Sequence, residues 1–466
     1  MQEEQFDLVV LGSGPSGQKG AINAAKLGKR VAIVDHPSTL GGTCLHTGTI
    51  PSKSFREAAL YLSGYRQKAF YGRSYALRRH ITFEDLAQRV NDVINWELDV
   101  TRDQLARNQV ELLEGHGRFI DAHTIRIERE DAPPIRASAD GILIACGARP
   151  AHSSTVPVDG ERIFDSDQFV SRERLDQEVG RSLIVVGAGV IGMEYASMAT
   201  ALGADVTIID QRHDVLEFVD QEILDSLLYH LRENNGVLRF GEKVVSVTID
   251  DRDRVEASLE SGKVVHGDTL LYTVGRQPNS DRLDIENVEI EVDKRGRIQV
   301  DENFQTATPG IYAVGDIIGF PALASTSMEQ GRIATCHMFG APFEHAPELF
   351  PYGIYSIPEI SMVGKTEEQL TAAKVPYEVG SARFAELARG QMIGDRTGRL
   401  KILFDPKTLK VLGVHIIGDG AAELIHIGQT VMSFEGTISF LRNTVFNYPT
   451  LAEAYKVAAF DGLNKL

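Results

Sequence analysis

The fold is decided by the stretch Phe6-Asp7-Leu8-Val9-Val10-Leu11-Gly12-Ser13-Gly14-Pro15-Ser16-Gly17 near the start of the chain. An apolar run followed by a G-x-G-x-x-G turn predicts a buried strand that passes directly into a helix. The helix is expected over Ala21–Gly28, and a second strand over Val31–Asp35 ends in an acidic residue. In such a turn the first glycine permits the tight bend, the second lets a pyrophosphate approach the backbone, and the third packs helix against strand. The stretch therefore predicts a βαβ unit that binds a dinucleotide.

The same pattern returns in the middle of the chain. A strand over Leu183–Val186 leads into the turn Gly187-Ala188-Gly189-Val190-Ile191-Gly192, and the strand after the next helix, Val206–Asp210, again ends in an acid. The closing acids, Asp35 and Asp210, each follow the first glycine of their turn by 23 positions. A carboxylate at this place accepts hydrogen bonds from adenosine ribose hydroxyls, although a solvated acid at a strand end is the alternative. Two nucleotide-binding units are therefore expected.

The segments around the second unit indicate how the domains are organised. Apolar residues at helical spacing, among them Leu86, Val90 and Ile94, predict a long helix from about Thr82 to Leu113. A further apolar strand is expected over Thr308–Asp316, well past the second unit. If this strand belongs with the first domain, the second domain is inserted in it.

The pattern changes again after about Pro347. Alternating strands are expected over Leu400–Phe404 and Val411–Ile417, with a turn at Asp405-Pro406 between them and an amphipathic helix from Ala421 after them. This arrangement predicts a separate C-terminal α+β domain.

Composition and charge exclude several classes of partner. The chain has 466 residues, 43% of them hydrophobic, which is enough for several cores and about three domains. The formal net charge is −17 and no run of Lys and Arg forms a basic stripe, so nucleic acid is not an expected partner. No apolar stretch approaches the roughly 20 residues that cross a bilayer, and Met1–Gln5 is acidic where a signal peptide would be basic. We therefore expect a cytoplasmic protein without a membrane partner.

Cysteine and histidine usage gives no indication of a metal site. Three cysteines, Cys44, Cys146 and Cys336, cannot form a disulfide framework or a four-thiolate zinc site. Cys146 and Cys336 have apolar neighbours and are expected to be packing residues. Histidines such as His415 and His426 show no ligand spacing, so no metal is predicted.

A resemblance to a known family rests on the stretch Thr39-Leu40-Gly41-Gly42-Thr43-Cys44-Leu45-His46-Thr47-Gly48-Thr49-Ile50-Pro51-Ser52-Lys53. With the two glycine turns, this stretch resembles the flavoprotein disulfide reductase family, and the resemblance covers essentially the full length. It implies that the first turn binds FAD, the second binds NAD(P)H, and the strand ending at Gly315-Asp316 closes the flavin site. It also implies a homodimer or larger homo-oligomer.

The predicted fold class follows from combining the motifs with this resemblance. It is α/β, with two Rossmann-like dinucleotide-binding domains and a C-terminal α+β dimerisation domain. The FAD domain is expected to comprise residues 1–148 and 277–345, the inserted NAD(P) domain residues 149–276, and the dimerisation domain residues 346–466.

Two departures from the family pattern bear on the chemistry. The family's redox pair is Cys-x4-Cys, but Cys44 is followed at that spacing by Thr49, so no disulfide can form there. The family's proton-handling motif is His-Pro-Thr-x-x-Glu, and the match here reads Tyr448-Pro449-Thr450-Leu451-Ala452-Glu453. A phenol with an ordinary pKa of about 10 is a poor base at neutral pH. Both departures argue against dithiol chemistry.

The flavin-side residues of the family are retained. Lys53 matches the lysine that lies beside flavin N5, and Glu194 matches the glutamate that pairs with it; a solvated Lys and Glu are the alternatives. A reaction that needs no thiol is hydride transfer from NADPH to NAD⁺ through the flavin, with the two nicotinamides using one site in turn. This pattern resembles the transhydrogenase branch of the family, of the Si-specific type. Two alternatives are a diaphorase-like or oxidase-like flavoenzyme and a flavin-binding protein without catalysis.

Dinucleotide specificity is expected at the end of the second unit. Asp210 favours the 2′-hydroxyl of NAD because a carboxylate repels a 2′-phosphate, whereas Arg212 or His213 could approach that phosphate. The positions of the paired arginines in NADP-specific relatives read Gln211 and Glu217. We therefore expect both NAD and NADP to be accepted as substrates.

The predicted cofactor contacts combine the residues of the two glycine motifs with positions implied by the resemblance. Cys44 could be either a reactive thiol near the flavin or a small buried hydrophobic residue. The predicted flavin neighbours are Gly12, Ser13, Gly14, Gly17, Asp35, Gly42, Thr43, Cys44, Lys53, Gly117, Ala145, Gly147, Asp316 and Ala324. The predicted nicotinamide-dinucleotide neighbours are Gly187, Gly189, Gly192, Glu194, Asp210, Val244 and Gly275.

Overall fold

The computed structural model describes residues 3–72, 75, 81–170, 181–344 and 349–466. The chain divides into two units, each described by itself below. The first unit consists of Met1–Ser54, Ala87–Ala151 and Gly275–Ala346. The second consists of Phe55–Leu86, His152–Val274 and Pro347–Leu466.

The first unit is built around a seven-stranded sheet in the order β3-β2-β1-β6-β5-β4, with β17 also paired to β6. The strands of the sheet are β1 (Glu3–Leu11), β2 (Val31–Asp35), β3 (Glu111–Glu114), β4 (His116–Asp121), β5 (Thr124–Glu128), β6 (Ile135–Ile144) and β17 (Ile311–Ala313). Two further strands of the unit, β7 (Ala148–Pro150) and β16 (Arg276–Pro278), pair with each other in a separate antiparallel sheet. The helices of the unit are α1 (Pro15–Lys26), α2 (Gly42–His46), α9 (Ala324–Met338), the first part of α3 (Thr49–Leu62) and most of α5 (Phe83–Arg107).

The parallel part of this sheet separates two apolar cores. β1 pairs in parallel with β2 on one side and with β6 on the other, and β17 pairs in parallel with β6. Alternate residues of a strand face opposite sides, so Leu8 and Val10 enter one core while Val9 and Leu11 enter the other. Helices α1 and α9 lie on the Leu8 side, since their residues Ala21 and Ala334 belong to that core. The carboxyl ends of β1 and β2 are thereby fixed beside the start of α1.

The second unit contains a parallel sheet of five strands in the order β11-β10-β9-β15-β8 and an antiparallel sheet of β12, β13 and β14. The strands are β8 (Ile163–Asp165), β9 (Ser182–Val186), β10 (Asp205–Asp210), β11 (Gly236–Phe240), β12 (Val244–Ile249), β13 (Val255–Leu259), β14 (Val264–Gly267) and β15 (Thr269–Tyr272). The helices of this part are α4 (Lys68–Tyr71), α6 (Ser166–Phe169), α7 (Val190–Leu202) and α8 (Gln221–Glu233).

The C-terminal part of the second unit has a five-stranded antiparallel sheet in the order β18-β19-β22-β21-β20. Its strands are β18 (Tyr352–Ile354), β19 (Ile360–Gly364), β20 (Glu378–Arg383), β21 (Arg399–Phe404) and β22 (Val411–Ile417). Its helices are α10 (Glu367–Ala372), α11 (Ala388–Ile393), α12 (Ala421–Ser433), α13 (Ile438–Asn443) and α14 (Glu453–Leu463).

The predicted α/β fold class is confirmed by these sheets, and two predicted elements are corrected. The predicted helix over Thr82–Leu113 is too long, because α5 ends at Arg107 and residues 111–114 form strand β3 beside β2. Gln109 has a left-handed φ of 57°, which ends the helix. The strand predicted over Thr308–Asp316 is also too long, since only Ile311–Ala313 pairs with β6.

The predicted domain boundaries after residues 148, 276 and 345 stay predictions, and the last of them lies outside the described residues. None of the helices in the described part of the chain combines the length and the apolar character that crossing a membrane requires.

Candidate functional site

The first glycine turn joins β1 to α1, and its three glycines differ in what surrounds them. Gly12 has a φ of +100°, and a Cβ added there would lie 2.6 Å from the Ala145 carbonyl oxygen. A Cβ at Gly17 would lie 2.0 Å from the Gly12 carbonyl oxygen. With any residue other than glycine at this position, the helix could not start this close to the strand. A Cβ at Gly14 would meet no atom within 4 Å. Packing therefore accounts for the first and third glycines, and the exposed backbone at the second fits a pyrophosphate at the helix N-terminus.

The second glycine turn, between β9 and α7, repeats this arrangement. Gly187 has a φ of +107°, and an added Cβ would lie 2.8 Å from Thr273 Oγ1. A Cβ at Gly192 would lie 1.9 Å from the Gly187 carbonyl oxygen, whereas one at Gly189 would meet nothing within 4 Å. Each unit thus offers one turn whose middle glycine is open to a ligand.

Asp35, at the end of β2, organises the first turn. Its Oδ2 accepts hydrogen bonds from the Ser13 backbone N–H at 2.7 Å and from Ser13 Oγ at 2.5 Å. Its Oδ1 accepts from the His36 N–H at 2.8 Å and from Thr39 Oγ1 at 2.7 Å. Ser13 Oγ in turn accepts from the Gly41 N–H at 2.8 Å. The carboxylate therefore links the glycine turn to the Gly41-Gly42 loop, a role that its position in the motif does not reveal.

Asp210, at the end of β10, has the corresponding place in the second unit and is buried. Its Oδ2 accepts a hydrogen bond from the Ala188 N–H at 2.7 Å, inside the glycine turn. Both of its oxygens accept from the Arg212 guanidinium, at 3.0 Å from Nε and 2.7 Å from Nη2. Burial alone would raise the pKa of Asp210, but the hydrogen bonds from Arg212 and Ala188 outweigh burial and lower this pKa. The carboxylate is consequently held ionised.

Cys44 and Thr49 lie together beside the start of α3. Their side chains are hydrogen-bonded, so the threonine contacts the remaining thiol. Burial raises the pKa of the Cys44 thiol; the Asp316 carboxylate adds to this effect, while Thr49 and the Lys53 ammonium oppose it. The net result is a thiol that stays protonated at neutral pH. Of the two readings of Cys44 left open by the sequence, this environment favours an unreactive side chain.

The two predicted catalytic residues belong to different units. Lys53 Nζ donates to Ser52 Oγ at 3.2 Å in the first unit. Glu194, buried in α7 of the second unit, accepts a hydrogen bond at Oε1 from the Tyr355 N–H at 2.8 Å. Ser197, one turn later, accepts from the Ile357 N–H at 2.9 Å, so the Tyr355–Ile357 segment is held at two points. The pairing of Lys53 with Glu194 stays a prediction.

Two predicted flavin neighbours have defined surroundings in the first unit. A Cβ at Gly42 would lie 3.0 Å from the Gly14 Cα, so the Gly41-Gly42 loop touches the glycine turn. Burial raises the pKa of Asp316, and the positive charge of Arg276 opposes this rise. Gly42 therefore lies against the first glycine turn, and Asp316 follows strand β17.

The other predicted positions differ in their local environments. A Cβ at Gly117 would lie 2.7 Å from Leu11 Cδ2, so this glycine is required by strand packing. Ala145 donates its N–H to the Leu11 carbonyl at 2.8 Å. Gly147 and Gly275 have positive φ values of 62° and 87°. Thr43 lies in α2, Ala324 begins α9 and Val244 begins β12. These assignments stay predictions.

Sequence reasoning missed a buried ionic cluster in the second unit. Lys401, on β21, is 1% exposed, and its Nζ lies 2.8 Å from Asp220 and 3.2 Å from Glu222, and also contacts Glu367. These three carboxylates are close enough together to hold a metal ion, but the Lys401 ammonium lies among them and supplies the compensating charge. A lysine within the strand sequence Arg399–Phe404 gives no sequence signal that it is buried.

The family of this chain follows from comparison with known proteins. Residues 6–331 match the family described as pyridine nucleotide-disulphide oxidoreductase, and residues 350–459 match its dimerisation domain. The chain belongs to this family. The predicted oxidoreductase class and the predicted use of FAD and NAD(P) are thereby confirmed.

Curated relatives match along the full length. The chain is 52% identical over 463 residues to a soluble pyridine nucleotide transhydrogenase of Mycobacterium tuberculosis, covering 99% of this chain and 98% of that one. It is 46% identical over 469 residues to a protein of the same name from Serratia proteamaculans, covering 100% and 99%. The predicted resemblance is confirmed.

Solved structures show the same fold. The HOCl-induced flavoprotein disulfide reductase RclA from Escherichia coli, in a Cu(II) complex, has a TM-score of 0.88 at 26% identity and covers 98% of this chain and 99% of its own. LpdA from Mycobacterium tuberculosis has a TM-score of 0.87 at 27% identity and covers 99% of each chain.

Proposed function

We propose that this chain is an FAD-dependent transhydrogenase that catalyses NADPH + NAD⁺ ⇌ NADP⁺ + NADH by a ping-pong mechanism without a redox disulfide. The observation that carries the proposal is the Cys44–Thr49 pair. The second cysteine of a dithiol is replaced by a hydroxyl, and burial raises the pKa of the remaining thiol. The names of the two full-length relatives support the same reaction.

The residues of each unit would hold one dinucleotide. In the first unit, the open backbone at Gly14 and the donors of the α1 N-terminus would bind the pyrophosphate of FAD, with Asp35 near its ribose. In the second, Gly189 and Asp210 would bind the corresponding groups of NAD(P). The chemistry of both turns fits such ligands, because backbone N–H groups and a helix dipole favour a diphosphate.

The reaction itself makes modest demands on the chain. When bound, FAD supplies a two-electron carrier that accepts a hydride from one nicotinamide and returns it to another. Lys53 would place a positive charge at this carrier, and Glu194, fixed by the Tyr355 N–H, would balance that charge. No proton of a substrate has to be moved, so Tyr448 at the place of the family's histidine is compatible with the reaction.

Assembly and location complete the proposal. The dimerisation domain over residues 350–459 supports a homodimer or larger homo-oligomer. The partners would be nicotinamide dinucleotides only, and the cytoplasm remains the expected compartment.

Stopped-flow spectroscopy of the purified holoenzyme tests the function. Without oxygen, NADPH should bleach the flavin absorbance, and NAD⁺ added afterwards should restore it at a rate equal to or above kcat. Double-reciprocal plots at several fixed NAD⁺ concentrations should be parallel. Reoxidation by NAD⁺ slower than turnover would contradict the proposal. Fast reoxidation by a quinone or oxygen in its place would indicate a diaphorase or oxidase, and no bleaching at all a flavin-binding protein without catalysis.

A further inference from the structure

The Asp210 carboxylate is saturated by protein donors. Its Oδ2 accepts from the Ala188 N–H at 2.7 Å and from Arg212 Nη2 at 2.7 Å. Its Oδ1 accepts from the Arg212 N–H at 2.9 Å and from Arg212 Nε at 3.0 Å. A carboxylate has about four acceptor positions, so a ribose hydroxyl can bind Asp210 only by displacing one of these donors. The two backbone donors, the Ala188 N–H of the glycine turn and the Arg212 N–H of the loop after β10, are fixed by the main chain. The guanidinium is therefore the displaceable partner.

The Arg212 guanidinium contacts Asp210 through only one of its edges. It uses Nε and Nη2, and both N–H groups of Nη1 lie outside these two hydrogen bonds. The Arg212 side chain is 49% exposed, although Asp210 beneath it is buried. A guanidinium fork matches the geometry of phosphate oxygens as well as that of carboxylates. Arg212 can therefore stay on Asp210 and still offer donors to an anion.

Three nearby residues define the surroundings of the Arg212 side chain. The exposed carboxylate of Glu217 acts on Arg212 electrostatically. The exposed His213 ring lies against Gly241, where an added Cβ would be 2.1 Å from it. Gly241 also donates its N–H to the Arg212 carbonyl at 3.0 Å, which fixes the loop below the guanidinium.

We propose that the Asp210–Arg212 pair is the element that lets one site take both dinucleotides. For NADP(H), the guanidinium remains on Asp210, cancels its charge and binds the 2′-phosphate through Nη1. For NAD(H), the ribose 2′-hydroxyl replaces the guanidinium on Asp210. The inference rests on the proposed function and assigns its dual specificity to one ion pair.

Two nucleotide fragments test this assignment without any hydride transfer. Adenosine 2′,5′-bisphosphate and adenosine 5′-monophosphate differ only in the 2′-phosphate, and calorimetry on the holoenzyme gives both Kd values. Arg212→Gln should raise the Kd of the bisphosphate by about tenfold or more. The Kd of the monophosphate should stay unchanged or fall. Arg254→Gln is the matched control, because Arg254 pairs with Asp250 through the same two nitrogens, Nε at 3.2 Å and Nη2 at 3.0 Å, although both donate to Oδ2. This control should change neither Kd.

A second variant examines the other half of the pair. Asp210→Asn should weaken binding of the monophosphate more than binding of the bisphosphate. The amide is a poorer hydrogen-bond acceptor for the ribose hydroxyl than the carboxylate, and it no longer repels a phosphate. Equal weakening of both fragments by Arg212→Gln, or no change in either, would overturn the inference. Because neither fragment carries a nicotinamide, a protein that binds them as expected but fails to reoxidise with NAD⁺ would refute the proposed reaction and leave the ion-pair assignment standing.

Discussion

Thr49 stands where the family's redox pattern has its second cysteine, and the lone thiol of Cys44 lies beside it in a buried setting. The Thr49 hydroxyl and the Lys53 ammonium both lower the pKa of Cys44, but desolvation raises this pKa and dominates over them. Because the thiolate is the reactive form, this setting disfavours Cys44 as a nucleophile and supports the proposed reaction without a redox disulfide.

Alkylation of Cys44 provides the first prediction. At pH 7.5, iodoacetamide should label Cys44 of the native holoenzyme more slowly than in the urea-unfolded chain, since burial raises the pKa of Cys44 and so lowers its thiolate fraction. The rate should increase only as pH rises above the ordinary thiol pKa of about 8.5. Peptide mass spectrometry follows the labelling.

Addition of NADPH is the control for this labelling experiment. In a dithiol enzyme NADPH would open the disulfide and liberate a reactive thiol, whereas here addition of NADPH should leave the labelling rate of Cys44 unchanged. Cys146, whose pKa burial raises to about 12, serves as an internal reference for an inert thiol. A burst of Cys44 labelling after NADPH addition would show that this thiol takes part in the redox cycle.

At the scale of elements, the third glycine of each turn is required by packing, whereas the middle glycine leaves room for a ligand. The middle glycine of the second turn, Gly189, has a φ of −79°, which alanine also adopts, and its added Cβ would meet no protein atom. The third glycine, Gly192, has no room for a Cβ, because the Gly187 carbonyl lies against it. Substitution at the two positions should therefore have different consequences.

The second prediction compares these two glycines. Gly189→Ala should raise the KM for both NADPH and NADH by about tenfold while leaving flavin content and the urea midpoint unchanged. Gly192→Ala should lower the free energy of unfolding by about 1–3 kcal/mol, as overpacking does. Urea unfolding and initial-rate kinetics measure the two effects. Normal KM values for Gly189→Ala would remove this glycine from the dinucleotide site.

The Lys401 cluster joins helices α8 and α10 to strand β21 and carries the third prediction. Lys401→Met would leave the carboxylate of Asp220, which is 0% exposed, without its ammonium partner. Breaking a buried ion pair by removing one partner costs about 3–5 kcal/mol, and urea unfolding should show a loss of that size. Lys410→Met is the matched control, because its partner Glu435 is 78% exposed. Such surface pairs contribute about 0–1 kcal/mol, so a similar loss in both variants would contradict the proposed role of burial.

Across the whole molecule, the sequence correctly predicts those parts of the fold that short stretches of chain specify. The two βαβ units are predicted correctly because Gly17 and Gly192 are each required by a contact within their own turn, with the carbonyls of Gly12 and Gly187. Strand β22 matches its expected bounds, Val411–Ile417. Local signal also explains the family resemblance, since its motifs are short stretches of chain.

Parts that depend on distant contacts are not predictable in this way. The buried position of Lys401 is set by Asp220, which lies 181 residues away in the chain. The Arg212 side chain could have pointed to solvent, and only the folded loop shows that it pairs with Asp210. The end of α5 was also missed, because Gln109 carries no ordinary stop signal and adopts its positive φ only in the folded chain.

The assembly of the molecule gives the last prediction. Within residues 434–448, in the part of the chain that matches a dimerisation domain, four large apolar or aromatic side chains are exposed. They are Phe434, Phe440, Val445 and Tyr448. A monomer rarely leaves several such side chains in water, so this segment is expected to bind a second copy of the chain.

Val445, with 89% of its surface exposed, is the side chain on which to test this. Val445→Asp should shift the sedimentation coefficient at micromolar concentration from that of a dimer toward that of a monomer, because a carboxylate buried in an interface without a partner is costly. Val292→Asp is the matched control, since Val292 is 43% exposed and belongs to the first unit, outside the dimerisation domain. Dissociation by both variants would indicate general destabilisation. An unchanged dimer with Val445→Asp would mean that the copies meet through another surface, and the exposed residues of 434–448 would then need a different partner.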